Sequence, residues 1–189
     1  MARTEPTTRD KERTRRAILD AAKQMFSEHG SKASLAAVAK AAGVTQSGLR
    51  HHFPTREALL YGVVEHSIEQ MWDEIHAHID LSENRPGKFL RGYIRMLTGD
   101  STTFANLPDP TALSAALGNP AGIEELCRRD AERWKAALEA DGLPMARVLV
   151  IQHAAEGLAV ARSTPYLSEE ELDLARTELL AMTEQESPM

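Results

Sequence analysis

A chain of 189 residues with 42% hydrophobic and 26% charged side chains can bury a substantial core and lacks the charge excess of a disordered protein. Its single cysteine, Cys127, excludes an internal disulfide and a multi-thiolate metal site. The strongly apolar run Val148 to Ile151 stops at Gln152, far short of the roughly 20 residues of a membrane span.

The start of the chain is basic and lacks the apolar segment of an export signal, so a cytoplasmic protein is expected. The formal charge of -6 conceals two unlike halves: residues 1–56 carry 11 Lys/Arg against 5 Asp/Glu, and residues 57–189 carry 11 against 23. A basic head on an acidic body suits a polyanion partner, although on charge alone a solvated basic face fits equally well. Residues 1–11 mix Pro6, threonines and charges without apolar periodicity and read as a flexible basic arm. From Glu12, Ile18, Ala21, Ala22, Met25 and Phe26 recur at helical spacing up to Gly30. Ser34 is placed to cap a short second helix with Leu35, Val38, Ala39 and Ala42 inward, and Gly43 ends it. Thr45 caps a third helix whose inward residues are Leu49 and Phe53. Thr55 caps a fourth, expected to run to about Ile79.

Beyond it the pattern stays helical. A fifth helix is expected over Phe89 to Leu97, and a turn-rich stretch over Gly99 to Pro110. Further helices are expected near Thr111 to Leu117, from Pro120 to about Ala140, from Met145 to Arg162, and from Ser168 to about Met182, the last opened by a capping box of Ser168 with Glu171. No strand pattern competes, so the fold class is all-α.

Two short helices joined by a glycine turn, Leu35 to Phe53, form a candidate helix-turn-helix, in which the second helix enters the major groove. That helix is apolar inside at Leu49 and Phe53, and it offers Thr45, Gln46, Ser47, Arg50 and His51 outside. Glutamine pairs with adenine and arginine with guanine, and serine or threonine pairs with either. Gly48 permits close backbone approach. Arg56 and the amide end of the second helix at Ser34 are placed to hold phosphates. Arg3, Arg9, Lys11, Arg13, Arg15 and Arg16 add sequence-independent attraction.

The longer strings ILDAAKQMFSEHG and SLAAVAKAAGVTQSGLRHHFPTREALL, within Ile18 to Leu60, closely resemble the DNA-binding domain of TetR-family transcriptional regulators. The resemblance covers about the first third of the chain, most specifically AKAAGV, Leu49 to Phe53 and PTREALL. It implies that Thr45 to His51 read an operator and that Arg56 holds the backbone. The position after Leu49 is often Tyr in the family and is Arg50 here, so both base and phosphate contact stay open for Arg50. Gly48 departs similarly, because a larger residue is frequent there. The implied organisation is a three-helix DNA-binding domain over 1–60 and a helical effector-binding and dimerisation domain over 61–189.

In the body, the helix from Met145 to Arg162 is apolar nearly all round and needs two buried partners. One is its own domain; the other is a second subunit or, in a monomer, further core. TetR-like proteins usually dimerise through their last two helices, which favours a homodimer with Ile151, Ala155, Leu158, Leu172, Ala175 and Leu179 at the seam. Two recognition helices on a two-fold axis then imply a palindromic operator. The resemblance further implies a small-molecule effector. Trp72, Phe89, Tyr93, Met96, Phe104 and Trp134 are candidates to line its site, and Gln152, His153 and Glu156 to orient it, although bulky apolar residues at helical spacing also serve as plain core.

Competing chemistries are weaker. Glu65, His66, Glu69, Asp73, Glu74, His76 and His78 crowd one helix, but no repeated Glu-x-x-His pair accompanies them, and a solvated charged face is the better reading. Cys127 fits a small buried hydrophobe better than a redox switch. No nucleophile elbow, phosphate loop or H-E-x-x-H is found, so no enzyme, cofactor or metal is expected. The reading is a sequence-specific DNA-binding regulator, a repressor released by an effector. The alternative is a DNA-bound structural or cell-division factor on the same scaffold.

Overall fold

A computed structural model describes residues 8–29, 32–99, 118 and 121–184. Eight α-helices and no strands occur among them: α1 (Thr8–His29), α2 (Leu35–Ala41), α3 (Gln46–His52), α4 (Arg56–Ala77), α5 (Lys88–Thr98), α6 (Ile123–Ala140), α7 (Met145–Ala161) and α8 (Glu169–Met182). The helix expected near Thr111 to Leu117 and the turn-rich stretch Gly99 to Pro110, apart from Gly99 itself, lie outside the described residues. The described residues fall into two compact units, one within 1–69 and 108–128, the other within 70–107 and 129–189.

In the first unit α1 packs on α2 and α2 on α3. Ile18, Leu19, Ala22 and Phe26 of α1 are buried, as are Val38 and Ala39 of α2 and Leu49 of α3. α1 starts at Thr8, so the basic arm expected over 1–11 is helical in its last four residues. Those residues carry no apolar stripe, and the first turns are held locally. Thr14 Oγ1 donates to the Asp10 carbonyl at 2.9 Å, and Arg13 pairs with Asp10 at 3.1 Å. Side-chain caps place the starts of the next helices: Ser34 Oγ accepts from Ala37 N, Thr45 Oγ1 from Gly48 N and Thr55 Oγ1 from Ala58 N, at 3.0 to 3.1 Å. Each satisfies an amide that the first helical turn leaves unpaired. Gly43 adopts φ +68°, the left-handed conformation that lets the chain turn from α2 into α3. α4 can lie close to the α3 end because residue 62 is glycine. A Cβ there would stand 2.8 Å from Phe53 Cε1 and 3.2 Å from Leu19 Cδ2.

The second unit is built on α5, which packs on α7 and α8, while α7 and α8 pack on each other. Polar groups hold both ends of α5. The Asp141 carboxylate accepts from Phe89 N (2.7 Å) and Leu90 N (2.9 Å) at its start. At its end, Arg176 donates to the Thr98 carbonyl (3.1 Å) and Arg162 to the Gly99 carbonyl (2.8 Å). Negative charge at the start and positive charge at the finish both complement the helix dipole. Arg91, 1% exposed, is satisfied by the Glu83 carboxylate at 2.5 Å, the Pro86 carbonyl at 2.9 Å and Thr183 Oγ1 at 3.2 Å. α8 opens with the expected capping box of Ser168 and Glu171. No helix among the described residues is long and apolar enough to cross a membrane.

Candidate functional site

α3 separates its side chains by chemistry. Leu49 and Phe53 are buried at 1% and 3%, whereas Thr45, Gln46, Ser47, Arg50 and His51 are exposed. The outward group carries amide, hydroxyl, guanidinium and imidazole functions, the set that hydrogen-bonds base edges and phosphates. Thr45 has a double duty, since its hydroxyl oxygen caps α3 and still has a proton to donate. Gly48 explains how this works: a Cβ there would stand 3.2 Å from Thr45 Oγ1 and press on the cap. Ser34, also exposed, uses its hydroxyl to cap α2 in the same way.

Arg56 is not simply a free cation at the surface. Its Nη1 donates to the Ala33 carbonyl at 2.7 Å, and its guanidinium lies 5.3 Å from the Phe26 ring centroid. One residue of α4 thereby holds the approach to α2.

Sequence reasoning passed over His52. Burial, then the positive charge of His51, Arg15 and Lys11, holds its imidazole below the usual histidine range, with Glu12 acting weakly the other way. The only signal for it was its place beside the candidate contacts. Arg15 also stacks over Phe53 at 5.3 Å and reaches Glu65 of α4 at 3.6 Å, while His66 of α4 meets Asp20 at 2.9 Å. These pairs fasten α1 to the first part of α4.

Most of the candidate effector residues converge in the second unit. Ring centroids of Trp72, Phe89 and Trp134 lie 5.5 to 5.6 Å from one another, and Tyr93 lies 4.8 Å from Trp134. Trp72, Phe89, Tyr93 and Met96 are buried, and Trp134 is half-buried. Trp72 Nε1 donates to Asp130 at 2.8 Å, and the Arg133 guanidinium sits 4.0 Å from the Trp72 ring centroid. The buried indole N–H of Trp134 has no hydrogen-bond partner among the described residues. Glu156 gathers the polar candidates: its Oε1 accepts from Tyr93 Oη and Gln152 Nε2, both at 3.0 Å, and its Oε2 lies 2.8 Å from His153 Nδ1. Phe104 lies outside the described residues.

The residues expected at a dimer seam are mostly core of the chain itself. Ile151 and Ala155 are 0% exposed, Leu172 1% and Leu179 6%, and Leu158 and Ala175 are half-buried. A side chain without accessible surface cannot gain contacts with a partner unless its own packing opens. The large apolar residues left outward on these helices are Met145, Leu149, Val150, Val160 and Leu174. Among the described residues, no group of three or more His, Cys, Asp or Glu is placed to hold a metal ion. His66 pairs with Asp20, while His76 and His78 bond the carbonyls of Trp72 and Glu74.

Comparison with known proteins agrees with this arrangement. Residues 18–62 match the model for bacterial regulatory proteins of the tetR family, and residues 87–184 match the tetracyclin repressor-like C-terminal domain. The fold is similar to that of a transcriptional regulator from Rhodococcus sp. Rha1, with 22% identity over 94% of this chain and 96% of that one and a TM-score of 0.64. It is also similar to the multidrug binding protein EbrR complexed with imidazole, at 25% identity over 94% and 93% of the two chains and a TM-score of 0.59. A third relative in structure is the TetR-like regulator LfrR from Mycobacterium smegmatis in complex with proflavine, at 22% identity over 90% and 96% and a TM-score of 0.55. No curated protein matches in sequence. The two family models together span most of the chain, which therefore belongs to the TetR family and is a DNA-binding transcription regulator, not an enzyme.

Proposed function

We propose that the chain is a homodimeric repressor that leaves its operator when a small molecule binds the body. The observation that carries this reading is α3, with Leu49 and Phe53 buried and Thr45, Gln46, Ser47, Arg50 and His51 facing solvent. In this reading residues 1–60 serve as the head: Thr45, Gln46, Ser47, Arg50 and His51 face the operator, with Arg50 on a base edge or a phosphate, Gly48 permits close backbone approach, and Ser34 and Arg56 hold phosphates. Residues 61–189 serve as effector-binding and dimerisation domain. The effector enters at Trp72, Phe89, Tyr93 and Trp134, near Gln152, His153 and Glu156. Support comes from the relatives in structure, two of which hold small molecules, imidazole in one and proflavine in the other.

A dimer has a mechanical purpose, because two recognition helices on a two-fold axis meet successive major grooves about 34–36 Å apart. The effector acts as a switch through its different affinity for the DNA-bound and released states. The chain works in the cytoplasm, where its DNA is.

Competition binding with the promoter fragment upstream of the chain's own gene tests the assignment. Fluorescence anisotropy at modest salt should show preference over random competitor, and Gln46→Ala should change which bases are preferred without changing the melting temperature. Equal affinity for promoter and random DNA overturns the reading.

A further inference from the structure

α3 is seven residues long, about 10 Å, and whatever fixes its direction decides where Gln46, Arg50 and His51 point. Its start is tied by the Thr45 cap and its middle by Leu49, buried at 1%. Its far end is tied by Phe53, the residue that closes the helix. A stub of two turns tilts when one of its ties loosens. Base reading does not tolerate the tilt, since a hydrogen bond weakens steeply away from its preferred distance and angle.

Two elements hold the Phe53 ring. On the α4 side, a Cβ at Gly62 would stand 2.8 Å from Phe53 Cε1, so the helix backbone presses close to the ring. On the α1 side the Arg15 guanidinium lies over the ring, 5.3 Å from its centroid, within the range at which a cation is drawn to an aromatic face. Arg15 is held in turn by Glu65 of α4 at 3.6 Å, one helical turn beyond Gly62. Its charge also reaches His52, whose imidazole burial, then His51 and Arg15, hold below the usual histidine range. One side chain of α1 thus bears on both residues at the end of α3.

Charge pattern alone counts Arg15 among the cations that attract DNA, but its neighbours are placed differently. Arg9, Lys11, Arg13 and Arg16 are exposed, whereas Arg15 is half-buried. An arginine engaged by a ring and a carboxylate of its own chain is a poor counterion for a phosphate, because leaving gives up both contacts. We infer that Arg15 is a positioning residue for operator reading: through Phe53 it fixes the angle of α3, with Glu65 as its anchor, and it serves selectivity rather than general attraction for DNA. The inference rests on the operator-reading part of the proposed function and is independent of the effector.

The test uses a full-length double variant, Arg15→Met with Glu65→Gln. It removes one positive and one negative charge, so the formal charge stays at -6 and non-specific attraction is left alone. Fluorescence anisotropy compares it with wild type on two probes: the duplex that wild type enriches most from a random-sequence library, and a scrambled duplex of the same composition. Both are titrated over a series of salt concentrations, at a temperature where circular dichroism shows both proteins folded. Selectivity, the ratio of the two affinities, should fall about fivefold or more in the double variant, the worth of one bidentate base contact. Affinity for the scrambled duplex and its salt slope should stay as in wild type.

Undiminished selectivity in the folded variant overturns the inference, since the contacts would then serve stability alone. A salt slope lower by about one overturns it too and makes Arg15 a phosphate contact. If the double variant does not fold, Glu65→Gln by itself decides: selectivity should fall at an unchanged slope, and full selectivity or a steeper slope, with Arg15 released onto a phosphate, overturns the inference. A wild type that enriches no duplex removes the operator reading and the inference together. A selective wild type with an equally selective variant removes the inference alone.

Discussion

Arg56 Nη1 donates to the carbonyl oxygen of Ala33 across 2.7 Å while its guanidinium lies 5.3 Å from the Phe26 centroid. Ala33 immediately precedes Ser34, the cap of α2, so Arg56 fixes the entry to the helix that braces α3. This gives Arg56 a structural part beside the proposed phosphate contact, and the two parts separate experimentally. Arg56→Ala should lower stability by about 1–2 kcal/mol, from loss of a hydrogen bond donated by a charged group and of the ring contact. Arg56→Lys keeps the charge and loses the planar fork, so it should melt nearly as early. The salt dependence of DNA binding should fall by about one phosphate in Arg56→Ala and stay unchanged in Arg56→Lys. Melting curves equal to wild type in both variants would remove the clasp.

Gly62 and Phe53 make a second clasp in the same unit. A methyl group at residue 62 would stand 2.8 Å from Phe53 Cε1, and the ring is already held by burial and by Arg15 on its face. Glycine to alanine ordinarily favours a helix interior by about 1 kcal/mol. Here the clash should outweigh that gain, and Gly62→Ala should be destabilising by about 1–3 kcal/mol in denaturant unfolding. A stabilised Gly62→Ala protein would show that Phe53 moves aside freely.

These two contacts also mark where the sequence stops being legible. Ser34, Thr45 and Ser168 act on amides three residues away, so helix starts and the exposed face of α3 can be read locally. The bulky residues on α4, α5 and α6 are visible in the sequence as well, but that Trp72, Phe89, Tyr93 and Trp134 lie ring against ring is not, because no spacing along one helix says which face of another it meets. Asp141 likewise caps α5 from more than 50 residues downstream, and no window of sequence contains both. Arg91 reads as a surface charge until Glu83 and Thr183 are seen around it. α7 is apolar on every side, so periodicity could not tell that Ile151 and Ala155 face its own core while Leu149 and Val160 face out.

Glu83 neutralises the buried Arg91 and also meets Arg95 at 2.8 Å. Burial by itself pushes its carboxyl up, but the hydrogen bonds and charges of Arg95 and Arg91 outweigh it, and the group is held below the usual carboxylate range. A carboxyl with a depressed native value stabilises the fold above its unfolded value. That stability is lost as pH falls through the native value. Acid unfolding monitored by the tryptophans should therefore steepen below the ordinary glutamate range. Glu83→Gln should flatten that limb and cost about 3–5 kcal/mol at pH 7, because Arg91 keeps its burial and loses its counter-charge. An unaltered acid limb in Glu83→Gln would place the pH sensitivity elsewhere.

The proposed dimer makes the inward and outward faces of α7 separable. Val150 and Val160 are 59% and 71% exposed, whereas Ile151 is 0% exposed, and a Cβ added at Gly157 would meet nothing within 4 Å. If the outward face is the seam, Val150→Glu with Val160→Glu buries charge against a partner and should yield a monomer in sedimentation experiments. Operator affinity should fall with it, since one head then meets one half-site. Ile151→Val should do the opposite: stability drops by about 0.5–1.5 kcal/mol while the oligomeric state is kept, because the removed methyl group faces only the chain's own core. A double-glutamate variant that remains dimeric with full operator affinity would move the seam off this face of α7.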